Sequence, residues 1–136
     1  MIQISPSSPI YIHCGAVDFR KGMDGLCGVC KEQMEKDPMS GALFVFSNRS
    51  RKSLKILVYD SQGFWIFHKR LSRGSFKWWR TGEGVSGELR ASELAVLIWN
   101  GNPDLAAPQT EWKNTSNFVK SAEDFSDVER QEEDSH

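Results

Sequence analysis

Residues 41–80 have the sequence GALFVFSNRSRKSLKILVYDSQGFWIFHKRLSRGSFKWWR. Three runs within this stretch, residues 43–46, 54–59 and 64–71, are rich in β-branched and aromatic residues. Such composition predicts three strands. The turn-forming sequence Asp60-Ser61-Gln62-Gly63 separates the second run from the third, and it predicts that these two strands form a hairpin.

The side chains of this hairpin divide into two faces if Tyr59 lies opposite Phe64, because successive residues of a strand point to opposite sides. One face, which we expect to be core, carries Ile56, Val58, Trp65 and Phe67. Beyond Leu57 and Ile66, the opposite face carries Lys55, His68 and Arg70. These cations are expected near the loop 48–52, where they would repel one another unless an anion lies between them.

Positive charge is concentrated in the same stretch. Residues 49–80 contain nine Lys or Arg and one acid, a balance of +8, whereas the whole chain of 136 residues has a net charge of −1. Lys and Arg bind DNA phosphates with release of condensed counterions. The predicted nucleic-acid-binding residues are Arg49, Arg51, Lys52, Lys55, Lys69, Arg70, Arg73, Lys77 and Arg80, with Arg20 and Lys21 from an earlier turn.

Aromatic residues interleave with these cations and permit two interpretations. Tyr59, Phe64, Trp78 and Trp79 could stack on unpaired bases, as aromatic residues on strands do in single-strand binding proteins. Alternatively, the cations form a solvated surface and the aromatic rings belong to the core.

The remainder of the chain completes a small domain. A strand is predicted at 10–14, a short one at 76–80, a Gly-rich loop at 81–87 and a helix at 92–100. A helix that ends before Asp37-Pro38 is predicted between the first two strands. Its apolar face carries Met23, Leu26, Cys27, Cys30 and Met34. We therefore expect an α+β fold: a small antiparallel β-meander with one helix after the first strand and a short C-terminal helix.

Domain limits follow from composition. Residues 1–9 contain two prolines and are predicted to be a lead-in, and residues 10–101 form a single domain. Residues 81–136 contain four Lys or Arg and twelve acids, and 102–136 is predicted to be a disordered acidic tail.

The sequence contains no membrane or secretion signal. No run is long enough to span a bilayer, no signal segment is evident, and three cysteines form no disulfide framework. A cytoplasmic protein is expected.

Two groups of residues are candidates for metal or anion sites. Cys27 and Cys30, with His13 and Cys14, could hold zinc or form a redox pair, but a helical apolar face favours structural, reduced thiols. Arg20 and Lys21 before a helix could bind phosphate, whereas Asp18 and Asp24 favour a salt-bridged helix cap.

Asp18, Asp24 and Asp60 are the acids from which a nuclease metal cluster could be built. They lie on different predicted turns, without a diagnostic spacing, and no nucleophile elbow or phosphate loop is present. No catalytic residue, metal or cofactor is predicted.

Several short motifs recur together in one known family. They are VDFRKGMDGL at 17–26, DP at 37–38, SGALFVFSNR at 40–49, KIL at 55–57, GFW at 63–65, KRL at 69–71 and GSF at 74–76 before Trp78. Over residues 10–101 the chain resembles the TnpB protein of the IS-sixty-six type of bacterial insertion sequence. It departs from that family at Trp79, where proline is usual, at Arg90, where Ser or Thr commonly caps the last helix, and in its longer acidic tail.

The resemblance implies an accessory protein of DNA transposition. Together with the +8 balance of residues 49–80, it predicts contact with element ends or target DNA through a basic β-hairpin face. It also implies a separate catalytic transposase as partner. The short apolar runs predict no membrane partner. Two alternatives remain: a protein-interaction subunit that does not bind DNA, and a metal-dependent nuclease.

Overall fold

The structure is a computed structural model that describes residues 8–105. Its strands are β1 (Ile10–Ala16), β2 (Leu43–Ser47), β3 (Ser53–Tyr59), β4 (Phe64–Arg70) and β5 (Ser86–Leu89). Its helices are α1 (Gly22–Gly28), which continues as a π-helical turn (Val29–Gln33), and α2 (Ala91–Ile98). Short 3₁₀ turns occur at Phe19–Lys21 and Pro103–Leu105. Most of the predicted lead-in and acidic tail lies outside the described residues.

The five strands form one sheet in the order β4-β3-β2-β1-β5. β2, β3 and β4 are antiparallel neighbours, so the predicted meander is confirmed. β1 and β2 are parallel and are joined through α1, as a parallel pair requires a crossover. The α+β fold class is thus confirmed, with one helix after the first strand and a short helix near the end.

Both faces of the central strands are buried. On one side Ile12, Val45 and Ile56 pack with Leu94 and Leu97 of α2. The other side is covered by α1 and the π-helical turn, which bury Leu26, Cys30 and Met34 against Phe44, Phe46 and Leu57. The helices therefore lie on opposite faces, and the meander has no face left entirely to solvent.

The hairpin register agrees with the prediction, since Tyr59 pairs with Phe64 and Lys55 with His68. Ile56 is buried as expected. The expectation that Trp65 and Phe67 are core residues is wrong, since they are 44% and 42% exposed. They lie on β4, an edge strand that α2 does not fully cover.

Two boundaries differ from the sequence prediction. The helix ends at Gln33, before Asp37, because the π-helical turn closes with bonds from Met34 N–H to the Val29 carbonyl and from Lys36 N–H to the Cys30 carbonyl. The last strand is at 86–89 instead of 76–80. Residues 76–80 form a loop, in which the side chains of Phe76 and Trp79 are buried. The predicted closing helix is confirmed as α2.

Candidate nucleic-acid interface

Adjacent positions of β3 and β4 bring three cationic or titratable side chains together. Lys55 pairs with His68 in the ladder, and Arg70 lies two residues further along the same face. Lys52, which precedes β3, lies near Arg70 because the Leu71 N–H donates to the Lys52 carbonyl at 2.8 Å. We call Lys52, Lys55, His68 and Arg70 the basic cluster.

Phe19 of the first 3₁₀ turn packs over this cluster. The Nζ of Lys55 lies 4.8 Å from the centre of the Phe19 ring and 3.5 Å from its carbonyl oxygen. The ring of His68 meets the same Phe19 edge-on, with centroids 5.9 Å apart. This contact places the turn that carries Arg20 and Lys21 beside the basic cluster.

The charges of the cluster repel one another, as the sequence predicts for cations crowded on one strand face. Partial burial, followed by the neighbouring charges of Lys55 and Arg70, lowers the pKa of His68. No carboxylate among residues 8–105 forms an ion pair with Lys52, Lys55 or Arg70. A bound anion would relieve the repulsion.

An open cleft of about 260 Å³ lies at the end of the hairpin away from its turn. It is lined by Lys52, Arg70, Leu71, Ser72 and Gly74. Gly74 has a φ of 67°, a conformation that glycine adopts without steric cost, and it helps the loop to turn beside the two cations. A cleft with two exposed cations and a hydroxyl offers donors suited to a phosphate group.

Other cations of the predicted set are exposed on loops and turns of the chain. Arg49, Arg73 and Lys77 are exposed on the loops that flank β3 and β4. Lys21 is also exposed, whereas Arg20 pairs with Asp18 although its side chain is 91% exposed.

Three of the predicted DNA-binding cations have interior contacts instead. Arg51 is half-buried and donates to the Ser47 hydroxyl and the Cys14 carbonyl. On the α2 side of the sheet, Lys69 donates to the Ile98 carbonyl at 2.7 Å. Arg80 packs its side chain against Gly87, where an added Cβ would overlap Arg80 Cδ.

Of the aromatic residues named from the sequence, Phe64, Trp78 and Trp79 follow the core interpretation, since they pack in or against the hydrophobic core on the two faces of the sheet. Trp79 is buried and its Nε1–H donates to the His13 carbonyl at 2.8 Å, so its ring is a core residue. Trp78 is half-buried and bonds Asp104, and Tyr59 packs against Phe64 at 4.9 Å. Among residues 8–105, the exposed Trp, Tyr or Phe rings are those of Trp65 and Phe67. No local pattern could have identified them, since their exposure depends on the position of β4 at the sheet edge.

Asp18 forms the expected salt-bridged cap, but it caps the 3₁₀ turn Phe19–Lys21, whereas α1 begins after Lys21 without a side-chain cap. Its Oδ1 accepts from the backbone N–H of Arg20 at 2.9 Å, and its Oδ2 accepts from the Arg20 guanidinium at 3.1 Å. These bonds lower the pKa of Asp18 to about 2. Asp60 has an equivalent role in the β3–β4 turn, where it accepts from Gln62, Gly63 and Trp65.

His13 and Cys30, two of the possible zinc ligands, have other surroundings in the fold. The Nε2 of His13 lies 2.9 Å from Gln33 Oε1. Cys30 is buried, and burial, with a smaller effect of Cys27, raises its pKa to about 12. Within residues 8–105, no group of three or more His, Cys, Asp or Glu side chains is placed to hold a metal ion.

These features define a small α+β domain with a cationic surface at one end of a β-hairpin. A family model described as IS66 Orf2 like protein matches residues 8–104 of the chain. The chain is similar to uncharacterized protein y4hO of Sinorhizobium fredii, with 35% identity over 106 residues, 78% of this chain and 90% of the relative. It is also similar to uncharacterized protein y4jC of the same organism, with 33% identity over 76 residues, 56% of this chain and 65% of the relative. No solved structure matches.

The chain belongs to the IS66 Orf2 like family. Its role is accordingly that of an accessory protein in the transposition of an insertion sequence. Neither helix in the described part of the chain is long and apolar enough to cross a membrane.

Proposed function

We propose that this transposition accessory protein acts without catalysis of its own and binds DNA phosphates through the basic cluster. The observation that supports this most directly is the cleft in which Lys52 and Arg70 meet without a carboxylate partner among residues 8–105. Crowded cations of this kind are stabilised when they bind an anion. The proposed DNA is that of the element ends or of the target site. We also propose that the protein is cytoplasmic.

The proposed interface contains fewer residues than the sequence predicts. Lys52, Lys55 and Arg70 are its centre, and the surrounding cations, which extend the contact along the DNA backbone, are Arg20, Lys21, Arg49, Arg73 and Lys77. Arg51, Lys69 and Arg80 stabilise the fold instead. Because phosphate contacts carry no sequence information, the surface itself binds different sequences with similar affinity.

The test is a titration of labelled duplex and single-stranded DNA with the purified protein at several salt concentrations. The double variant Lys52→Ala/Arg70→Ala weakens binding about equally for all sequences. Its slope of log K against log salt for duplex DNA becomes shallower by about 0.9 for each lost phosphate contact.

The matched control is Lys31→Ala/Lys36→Ala, which removes the same charge from exposed positions beyond α1. It leaves the slope unchanged. An equal loss in both double variants would show that only net charge matters, and unchanged affinity in the Lys52 and Arg70 variant would place DNA binding on another surface.

We also propose that a separate catalytic transposase of the same element is the protein partner. Co-purification of the two proteins, with and without nuclease treatment, tests whether DNA bridges them. If the wild type does not bind DNA and the Lys52→Ala/Arg70→Ala variant loses the transposase, the basic cluster is a docking surface for an acidic protein. Nicking of plasmid DNA by the protein with Mg²⁺ would instead favour a nuclease.

A further inference from the structure

The outer edge of β4 has no strand partner among residues 8–105, because β4 is the last strand in the sheet. Two of its aromatic side chains, Trp65 and Phe67, are 44% and 42% exposed. Their rings are stacked, with centroids 6.2 Å apart and an interplanar angle of 12°. A seven-residue edge strand with exposed aromatic rings is a surface on which another strand can pair.

Two hydrogen bonds at the ends of the β3–β4 ladder show which backbone groups point to this edge. The Asp60 N–H donates to the Gly63 carbonyl at 3.0 Å, and the Leu71 N–H donates to the Lys52 carbonyl at 2.8 Å. Hydrogen-bonded pairs alternate along an antiparallel ladder, so every second residue of β4 bonds β3. The outward N–H and carbonyl groups therefore belong to Phe64, Ile66, His68 and Arg70.

The side chains of β4 divide into an aromatic first half and a cationic second half. If two copies of β4 pair antiparallel about a two-fold axis at Phe67, each half meets the opposite half of the other copy. This register places Phe64 opposite Arg70, Trp65 opposite Lys69 and Ile66 opposite His68. It also joins the outward backbone groups in hydrogen-bonded pairs, because the paired even-numbered residues are the ones that point outward.

We propose that the protein forms a two-fold symmetric dimer through antiparallel pairing of β4 with β4 of a second copy, centred on Phe67. Each cation then lies opposite an aromatic or apolar residue, and no like charges lie directly opposite one another. The interface is self-complementary and closed, as a two-fold contact must be. A second copy is favoured as the occupant because the strand complements its own sequence pattern.

The axis of this dimer is perpendicular to the sheet, so equivalent side chains of both copies lie on the same face. The two basic clusters would accordingly face the same side of a continuous sheet. The dimer itself does not depend on DNA binding, and it is tested without DNA.

The first test measures the mass of the full 136-residue chain by sedimentation over a range of protein concentrations. The wild type shows a concentration-dependent increase from monomer to dimer. Phe67→Lys places two charges opposite each other at the axis and weakens the dimer by about tenfold or more. Met39→Lys, at a methionine that is 56% exposed in a turn outside the sheet, leaves it unchanged. A monomeric wild type at all concentrations, or equal loss in both variants, overturns the proposal.

The second test examines the register by oxidative crosslinking. Phe67→Cys places two thiols at a non-hydrogen-bonded pair, where Cα atoms lie about 4.5 Å apart, within the range of a disulfide. Trp65→Cys places them four residues out of register, about 13 Å apart. Phe67→Cys forms covalent dimers, whereas Trp65→Cys and the wild type, which controls for the native cysteines, do not.

Crosslinking of Phe67→Cys that does not exceed that of Trp65→Cys and of the wild type overturns the two-fold pairing at Phe67. A chain ending at Leu105 that dimerises while the full chain stays monomeric also overturns the proposal. That result would assign the edge of β4 to residues 106–136 of the same chain.

Discussion

The guanidinium of Arg51 lies 5.0 Å from the ring centre of Trp79. The same guanidinium donates to the Ser47 hydroxyl at 2.6 Å and to the Cys14 carbonyl at 3.2 Å. One side chain thus joins the ends of β1 and β2 to the loop between β4 and β5. Burial lowers the pKa of Arg51 but leaves a guanidinium charged at neutral pH.

We expect Arg51→Lys to destabilise the fold by about 1–3 kcal/mol, because an ammonium cannot make both hydrogen bonds and stack on Trp79. Arg51 also has a φ of 59°. This backbone angle is equally unfavourable for Arg and Lys, so it does not contribute to the difference in stability between wild type and variant. Urea denaturation measures the loss. The exposed neighbour Arg49 provides the control, and Arg49→Lys should change stability by less than about 0.5 kcal/mol. Equal stability of the two variants would contradict a structural role for Arg51.

Cys30 is expected to be the least reactive of the three thiols. Its pKa is raised to about 12 by burial, and the thiolate is the nucleophilic form. In the native protein, alkylation followed by peptide mass spectrometry should label the half-buried Cys14 and Cys27 before Cys30. In denaturant the three rates should converge.

The same burial predicts that Cys30→Ser costs about 1–3 kcal/mol, because a hydroxyl replaces a thiol in an apolar site. Cys27→Ser should cost less. Labelling of native Cys30 at the rate of Cys14 would contradict the interpretation of these cysteines as structural thiols. So would stoichiometric zinc in the wild type that is lost in a Cys27→Ser/Cys30→Ser double variant.

The pH dependence of stability should include a contribution from Asp18. Its pKa falls from 3.8 to about 2, chiefly because of its side-chain hydrogen bond with Arg20 and then its bond with the Arg20 N–H. A depressed pKa in the folded state stabilises the protein above the unfolded pKa, and this contribution disappears as pH falls through the folded pKa.

Asp18→Asn, which keeps the acceptor oxygen but not the charge, should therefore be less stable than the wild type above about pH 3.8. The difference should shrink as pH falls and vanish below about pH 2. Thermal midpoints of the two proteins across this range measure it. Because the pair is exposed, added salt should reduce the difference, and a gap that persists below pH 2 would show that charge is not its cause.

The central hairpin was predictable because its information is local. Alternation of side chains and the Asp60–Gly63 turn fixed the pairing of Tyr59 with Phe64, and with it the meeting of Lys55 and His68. Strand order, in contrast, depends on contacts between distant segments. The parallel pairing of β1 with β2, the strand β5 and the edge position of β4 have no local pattern in the sequence.

The same distinction explains the cations. Lys52, Lys55 and Arg70 are close because of the hairpin register, which the sequence contains. Arg51 stands in the same run of basic residues, but its interior role depends on Trp79, which follows it by many positions along the chain. A count of charges therefore indicates the correct segment and cannot separate binding residues from structural ones.

Residues 106–136, which lie outside the described structure, provide the last prediction. This segment contains eight acids and three Lys or Arg, opposite in sign to residues 49–80. The truncation should follow Leu105, because Pro103 is buried and Asp104 accepts a 2.8 Å hydrogen bond from Trp78. If the acidic segment competes with DNA for the basic cluster, its removal should tighten DNA binding at low salt.

The competition should be ionic and intramolecular. A tethered segment acts at an effective concentration of about a millimolar, so weak contacts are populated. Screening over a Debye length of about 8 Å at physiological salt should reduce the gain from truncation as salt rises. A full-length variant with its eight acids after residue 105 changed to Asn or Gln is the control for chain length, and it should bind like the truncated protein. Equal DNA affinity of the full-length, truncated and neutralised proteins at low salt would show that the segment does not compete.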